Sequence, residues 1–322
     1  MIHRILVPLD GSSLAETSLA SALAVSSAFD AELIVHRVVE NGRQPAPISN
    51  GMHWRFLRAE ALAYLNRVKD RCTRHCRTCE VVVSDGDPAE EILQCGREHN
   101  VDLIVLSTHG RGYKAPFRLG NTVQQVISAA GVSVMIVPVQ MSAPKAATDA
   151  VFRRILVPLD GSRRAEWALC LAGTIAATHG STLHVVHVVP VPEMARRFPP
   201  TSEEEELCRQ VVQHNRKATR EYLDEIESRF EGEQLHVHSH LLVSPQIAKT
   251  IQQVVEEQHI DLLVGCAHGH TGGGEWLYGG IAGSLIAHAT VPLLIFQDLQ
   301  YEARKTGPCE ELTEERLLER AP

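Results

Sequence analysis

RILVPLDGS runs from Arg4 to Ser12 and returns unchanged from Arg154 to Ser162. Nine identical residues at an offset of 150 mark an internal duplication, a signal that outranks other signs of organisation. The stretch itself reads as a short buried strand, Ile-Leu-Val, running into an Asp-Gly-Ser turn. At 322 residues the chain has the length of two domains of about 150 each.

Outward from the repeat, both halves alternate short apolar runs with helical periodicity. Strands are expected at 4–9, 32–39, 80–84, 102–107 and 132–137, with helices at 13–27, 56–76, 88–99 and 122–130. The second half follows the same order, with strands at 154–159, 182–189, 235–243, 261–266 and 291–296. Its helices fall at 163–177, 203–229, 245–258 and 281–289. Strands rich in Val, Ile and Leu, each followed by a helix, give an α/β fold with a parallel sheet covered on both faces. Right-handed crossovers make that sheet open and doubly wound. The expected division is a first domain at 1–140, a linker at 141–150, a second domain at 151–298 and a tail at 299–322.

Composition excludes several classes of function. No apolar run reaches the roughly 18 residues that span a bilayer, and the N-terminus enters a strand directly, leaving no room for a signal peptide. The expected location is the cytosol, where the eight cysteines should be mostly reduced. The net charge of −8 is uneven: residues 1–150 hold 15 acidic and 15 basic residues, the remainder 24 and 16. Neither half has the basic excess of a nucleic-acid binder.

In an open doubly wound sheet, ligands bind beyond the carboxyl ends of the strands. Asp10 and Asp160 end the first strand of each half, followed by Gly11 and Gly161. A carboxylate there can accept a hydrogen bond from a ribose hydroxyl; equally, Asp-Gly-Ser can simply cap the next helix. The fourth strands lead into STHGRGYKAPFRLGNTVQQVI (107–127) and CAHGHTGGGEWLYGGIAGSLI (266–286). Each places nine residues between two glycines, Gly110 and Gly120 or Gly269 and Gly279, ahead of a helix. Backbone amides of such a loop, with a helix N-terminus behind them, suit phosphate. The loop is not a Walker A motif, because no Gly-Lys-Ser/Thr follows.

These residues, with DGDPAEEI at 85–92 and the aspartates Asp102 and Asp261 leading the fourth strands, resemble the universal stress protein family as a tandem member. The resemblance implies two five-stranded parallel sheets of the adenine nucleotide α-hydrolase-like kind, strand order 3-2-1-4-5. It also implies pairing of the domains through their last strands as a built-in pseudo-dimer, with further homodimers open. In one branch it implies ATP bound by Gly-x2-Gly-x9-Gly-Ser/Thr; other branches bind no nucleotide. This chain departs from the motif. The first Gly is Ser107 or Cys266, and the closing Ser/Thr is Asn121 or Gly280. Ser107 is the milder change, Asn121 can still cap a helix, and Thr122 adds a hydroxyl. Arg111, Lys114 and Arg118 make the first loop positive, whereas the second offers His270 and Glu275. The phosphate side therefore favours the first domain.

On the base side, His36-Arg37 is set against His187-Val188, where the family places an apolar residue beside adenine; Arg37 could stack on a base or block it. The nucleotide contacts carried over are Pro8, Asp10, Arg37, Ser107, Gly110, Gly120, Asn121 and Thr122 in the first domain. In the second they are Asp160, Val188, Gly269, Gly279 and Gly280.

Two clusters stand apart from this pattern. Cys72, Cys76 and Cys79, with His75 among them, have the spacing of an iron–sulfur ligand set, or of zinc ligands, or of idle thiols at a helix end. His236, His238 and His240 alternate along a strand and share one face, as a zinc site or a solvated stripe on an edge strand. No metal is expected, and Ser12 and Ser162 have no assignable base partner for a catalytic triad. The expected function is a cytosolic stress protein whose state is set by adenine nucleotide, ATP foremost, bound in the first domain, with slow ATP hydrolysis at most. The alternatives are a nucleotide-free scaffold acting through protein partners, and a metal-responsive protein using the Cys or His clusters.

Overall fold

A computed structural model describes residues 1–40, 50–110, 119–139, 151–192, 201–230, 235–269 and 278–297. The linker 141–150, the tail 299–322, and Arg111, Lys114, Arg118, His270 and Glu275 lie outside the described residues. The first repeat runs β1 (Arg4–Pro8), α1 (Ser13–Phe29), β2 (Glu32–Val39), α2 (Asn50–Cys72), β3 (Cys79–Asp85), α3 (Pro88–Glu98), β4 (Leu103–Ser107), α4 (Asn121–Ala129) and β5 (Ser133–Val137). The second runs β6 (Arg154–Pro158), α5 (Arg163–His179), β7 (Thr182–Val189), α6 (Ser202–Phe230), β8 (His236–Val243), α7 (Ile247–Glu257), β9 (Leu262–Cys266), α8 (Gly280–Ala287) and β10 (Leu293–Phe296).

Strand bounds follow the apolar runs to within two residues. Helix α2 differs most, beginning at Asn50 and ending at Cys72 rather than spanning 56–76. Residues 73–78 instead form the turn that delivers Cys79 opposite Leu33, where β3 joins β2.

The described residues form two compact units. One comprises the described residues of the first repeat with 286–297; the other spans Phe152–Leu285. In the first unit the strands run β3-β2-β1-β4-β5, all parallel. β10 then pairs antiparallel with β5, Leu294 opposite Met135. The last strand of the second repeat thus lies with the first unit. In the second unit the order is β9-β6-β7-β8, again parallel.

The central strands are dry. Ile5, Leu6, Val7 and, in the second unit, Ile155, Leu156 and Val157 have no exposed surface. Burying each such side chain stabilises by roughly 1.5–3 kcal/mol. Helix α1 packs on β1 and β4, and α2 on β2 and β3.

The aspartate ahead of each fourth strand sets register. Asp102 Oδ2 accepts from the amides of His3 and Arg4 at 2.7 and 3.0 Å, and Asp261 accepts from Arg153 and Arg154 at 2.8 and 3.0 Å. One carboxylate thereby ties the start of the first strand to the start of the fourth. Because β1 has β2 on one side and β4 on the other, the connections leaving β1 and β4 diverge. A crevice opens beyond their carboxyl ends, and β6 repeats the arrangement between β7 and β9.

Candidate functional site

The turn after the first strand is built identically in both repeats. Gly11 and Gly161 take φ of 84° and 77°, a left-handed conformation that side chains with a Cβ avoid. Ser12 and Ser162 then cap α1 and α5, accepting from the amides of Ala15 and Ala165 at 3.1 and 3.2 Å. Asp10 Oδ1 accepts from the Ser12 amide at 2.8 Å, and Asp160 Oδ1 from the Ser162 amide at 3.0 Å. The capping role thus belongs to the serine, while one oxygen of each aspartate shapes the turn.

The second oxygen faces the loop that follows the fourth strand. Asp10 Oδ2 occupies the place a Cβ on Gly110 would take, and Asp160 Oδ2 does the same at Gly269. Glycine stands at 110 and 269 because a carboxylate from the first strand needs that space. Gly120 and Gly279 are looser, a Cβ there meeting Thr108 O at 3.5 Å and Ala267 O at 3.6 Å, which is ordinary contact. Their amides donate to those same carbonyls at 3.0 and 2.8 Å and fix where the next helix starts.

Ser107, where the family motif has its first glycine, donates its hydroxyl to His109 O at 2.7 Å. Cys266 reproduces the contact, its thiol reaching His268 O at 2.9 Å. Both side chains fold back on the loop, which explains how cysteine substitutes for serine. Asn121 is not a cap. Gly120 takes the N-cap position with no side-chain hydrogen bond, and exposed Asn121 and half-buried Thr122 form the first turn of α4. The corresponding turn of α8 has Gly280 and Ile281, and around Gly280 there is open space. An N-terminus without a side-chain cap leaves its amides to water or an anion.

The wall of the crevice contains residues that sequence reasoning missed. Tyr64 on α2 donates to Glu16 Oε1 at 2.9 Å, and Arg71, two turns on, reaches Glu16 Oε2 at 2.7 Å. The second repeat has the same trio: Tyr222 and Arg229 reach Glu166 at 3.4 and 3.1 Å. Burial raises the Tyr64 phenol above its ordinary range, with Glu16 adding to the effect and Asp10 close enough to contribute; Tyr222 repeats this with Glu166 and Asp160. Two signals could have found the trio: the glutamate follows DGS at the same distance in DGSSLAE and DGSRRAE, and both helices read Tyr-x6-Arg.

Arg37 lies over the Tyr64 ring, 5.3 Å from guanidinium carbon to centroid. Its counterpart is His187, not Val188. Leu9 N bonds His36 O and Leu159 N bonds Val186 O, so residues 37 and 187 follow at the same point of their strands. His187 meets the edge of Tyr222 with centroids 6.3 Å apart, whereas Val188 is buried opposite Leu242. The misalignment came from matching the two histidines by type rather than by the fixed offset. Pro8 is half-buried at the mouth of the crevice, paired with His36.

The first repeat fits a nucleotide on these terms. Asp10 presents a carboxylate just beyond the carboxyl end of β1, Gly110 lets that carboxylate approach the loop after β4, and the α4 N-terminus follows at the same edge of the sheet. Among the described residues no group of three or more His, Cys, Asp or Glu side chains is arranged to hold a metal ion. The histidines of β8 instead meet β7. His240 Nε2 and His184 Nδ1 are 3.0 Å apart, the His238 and His184 rings are 5.5 Å apart, and His236 is exposed. No helix of the described residues is long and apolar enough to cross a membrane.

The model of the Universal stress protein family matches residues 1–138 and 152–297, one match for each repeat. Universal stress protein MJ0531 of Methanocaldococcus jannaschii is 28% identical over 140 residues, covering 42% of this chain and 82% of that protein. A universal stress protein of Thermus aquaticus, encoded in the 3′ region of the QAH/OAS sulfhydrylase, is 30% identical over 144 residues, 42% of this chain and 99% of its own. Among solved structures, a universal stress protein from Archaeoglobus fulgidus superposes with a TM-score of 0.64 at 21% identity, covering 91% of this chain and 96% of that one, a likeness of fold. Matched over both repeats, the chain belongs to the universal stress protein family and carries two of its domains in tandem.

Proposed function

We propose that this tandem universal stress protein is a cytosolic regulator whose state is set by an adenine nucleotide, ATP foremost, held in the crevice of the first repeat. The observation that carries the reading is the apposition of Asp10 to Gly110, across the divergence of β1 and β4 and ahead of the α4 N-terminus. Asp10 would accept from the ribose, and Ser107, Gly110, Gly120, Asn121 and Thr122 would surround the phosphates. Asp160 and Gly269 repeat the geometry, but Gly280 and Ile281 bring no side-chain donor to the anion side, which supports the first repeat as the main site. On this reading hydrolysis of the bound nucleotide is slow at most.

The test begins by denaturing freshly purified protein and separating the released small molecules by ion exchange. A single ATP, ADP or AMP per chain is expected. Calorimetric titration with ATP should then show Asp10→Ala weakened by roughly 10- to 100-fold, the loss of one hydrogen bond to a charged group, and Asp160→Ala close to wild type. No nucleotide released, and no heat with millimolar ATP, would overturn the reading and leave a scaffold working through protein partners.

A further inference from the structure

Arg37 is a cation without an anion. It stands in β2, half-buried, its guanidinium carbon 5.3 Å from the centroid of the Tyr64 ring. The glutamate on that wall is already committed. Glu16 Oε1 accepts from the Tyr64 hydroxyl at 2.9 Å and Glu16 Oε2 from Arg71 at 2.7 Å. Among the described residues no carboxylate pairs with Arg37, and the sequence at 41–49 and 111–118, after β2 and β4, contains no Asp or Glu. The ring face attracts the guanidinium without neutralising it, and a charge partly withdrawn from water is costly until it is paired.

The frame folds without that charge. In the second repeat Tyr222, Glu166 and Arg229 form the same trio, and His187 takes the place of Arg37. Burial lowers the pKa of His187 from its ordinary value of 6.5, so its ring is neutral at pH 7. Both tyrosines are held alike, yet only the first carries a cation at its side. The packing of the wall therefore does not account for Arg37.

Its place in the sheet says which part of a ligand it meets. β1 lies between β2 and β4. Asp10 follows β1, while Gly110 and the α4 N-terminus follow β4. Arg37 stands toward the carboxyl end of β2, one residue past His36, whose carbonyl accepts from the Leu9 amide at 2.8 Å. In a 5′-nucleotide the 5′-phosphate arm and the 2′,3′ edge leave the sugar on opposite sides. With Asp10 on the ribose and the 5′-phosphates at α4, as proposed above and as this step requires, the 2′,3′ edge is directed toward β2. Adenine carries no charge at pH 7, so the base supplies no anion there. A phosphate on the 2′,3′ edge does, and a guanidinium meets it with two parallel N–H donors. We propose that the first crevice selects adenine nucleotides carrying a second phosphate on the ribose 2′- or 3′-oxygen, and that Arg37 recognises that phosphate. The remaining ribose hydroxyl stays with Asp10.

Calorimetric titration of the full-length chain with AMP, adenosine 2′,5′-bisphosphate and adenosine 3′,5′-bisphosphate tests this. One of the bisphosphates should bind the wild type roughly 10- to 100-fold more tightly than AMP, the gain from charge-assisted hydrogen bonds to phosphate. Which of the two it is identifies the phosphorylated oxygen. Arg37→Met keeps an unbranched side chain and removes the charge, and it should bring the ratio of bisphosphate to AMP affinity close to one. Circular dichroism verifies the fold of the variant. Equal affinity of the wild type for all three ligands would overturn the assignment while leaving the nucleotide site standing. A ratio kept in Arg37→Met, with AMP and bisphosphate weakened alike, would make Arg37 a support for the base and overturn it too. Should no adenine nucleotide bind, the nucleotide reading itself fails and the role of Arg37 falls with it.

Discussion

At the mouth of its crevice each repeat carries the same frame: a left-handed glycine, a capping serine, an aspartate filling the space beside a glycine, and a tyrosine and an arginine held by one glutamate. What surrounds the frame has diverged. Arg37 covers Tyr64 where His187 meets the edge of Tyr222. Asn121 and Thr122 begin the helix where the second repeat has Gly280 and Ile281. His36 is buried with a single bonded nitrogen, to Ser84 Oγ at 2.8 Å, whereas His184 is joined by His240 and His238. Positions that shape the backbone tolerate little change because their contacts are steric or main-chain. Positions that only line the crevice were free to part after duplication.

The sharpest way to separate the repeats is acid. Burial holds both His36 and His184 down to about 4, from an ordinary value of 6.5, and the neighbouring charges of His99 for one and His240 and His238 for the other act the same way. The unfolded chain therefore takes up protons first. Stability is fully present above pH 6.5 and falls as pH drops toward 4, by about 3 kcal/mol for each histidine. Denaturant unfolding measured across that window should show His36→Gln flattening the loss in the first unit and His184→Gln flattening it in the second. Identical slopes in both variants and wild type would break the comparison.

Next in size is the aspartate–glycine contact. Gly110→Ala and Gly269→Ala push a Cβ onto a carboxylate and should each cost roughly 1–3 kcal/mol by overpacking. Gly120→Ala, with φ of −59° and room for a Cβ, should stay within about 0.5 kcal/mol. Ser12→Ala and Ser162→Ala should cost about 1 kcal/mol each in thermal unfolding, because the two caps are geometrically alike. Smallest of all, Glu16→Gln and Glu166→Gln should lower the pKa of Tyr64 and Tyr222 in an ultraviolet phenolate titration. Burial, the larger cause, keeps both above the ordinary value of 10.

Much of the frame was legible in sequence because it is local. Asp10, Gly11 and Ser12 are consecutive, and the apolar runs of the strands need no partner to be recognised. The trio was harder, since Tyr64 lies 48 residues from Glu16 and becomes its partner only through the tertiary fold. The stripe on β8 was visible, but His184, which turns it into a cluster, sits on β7 and joins through strand register. Arg37 was paired with the wrong residue because residue type was matched where position should have been. The Gly110 contact needed both the topology and the rotamer of Asp10, neither of which a motif encodes.

β10 has a consequence for the order in which the protein is made. It pairs with β5 in the first unit, yet it is translated more than 150 residues after that strand. A growing chain that has finished the first repeat still carries β5 as an open edge, with Val134, Met135 and Ile136 waiting for cover. An unpaired apolar edge is a template for misassembly. The β5 edge is therefore covered only once the second repeat has been synthesised.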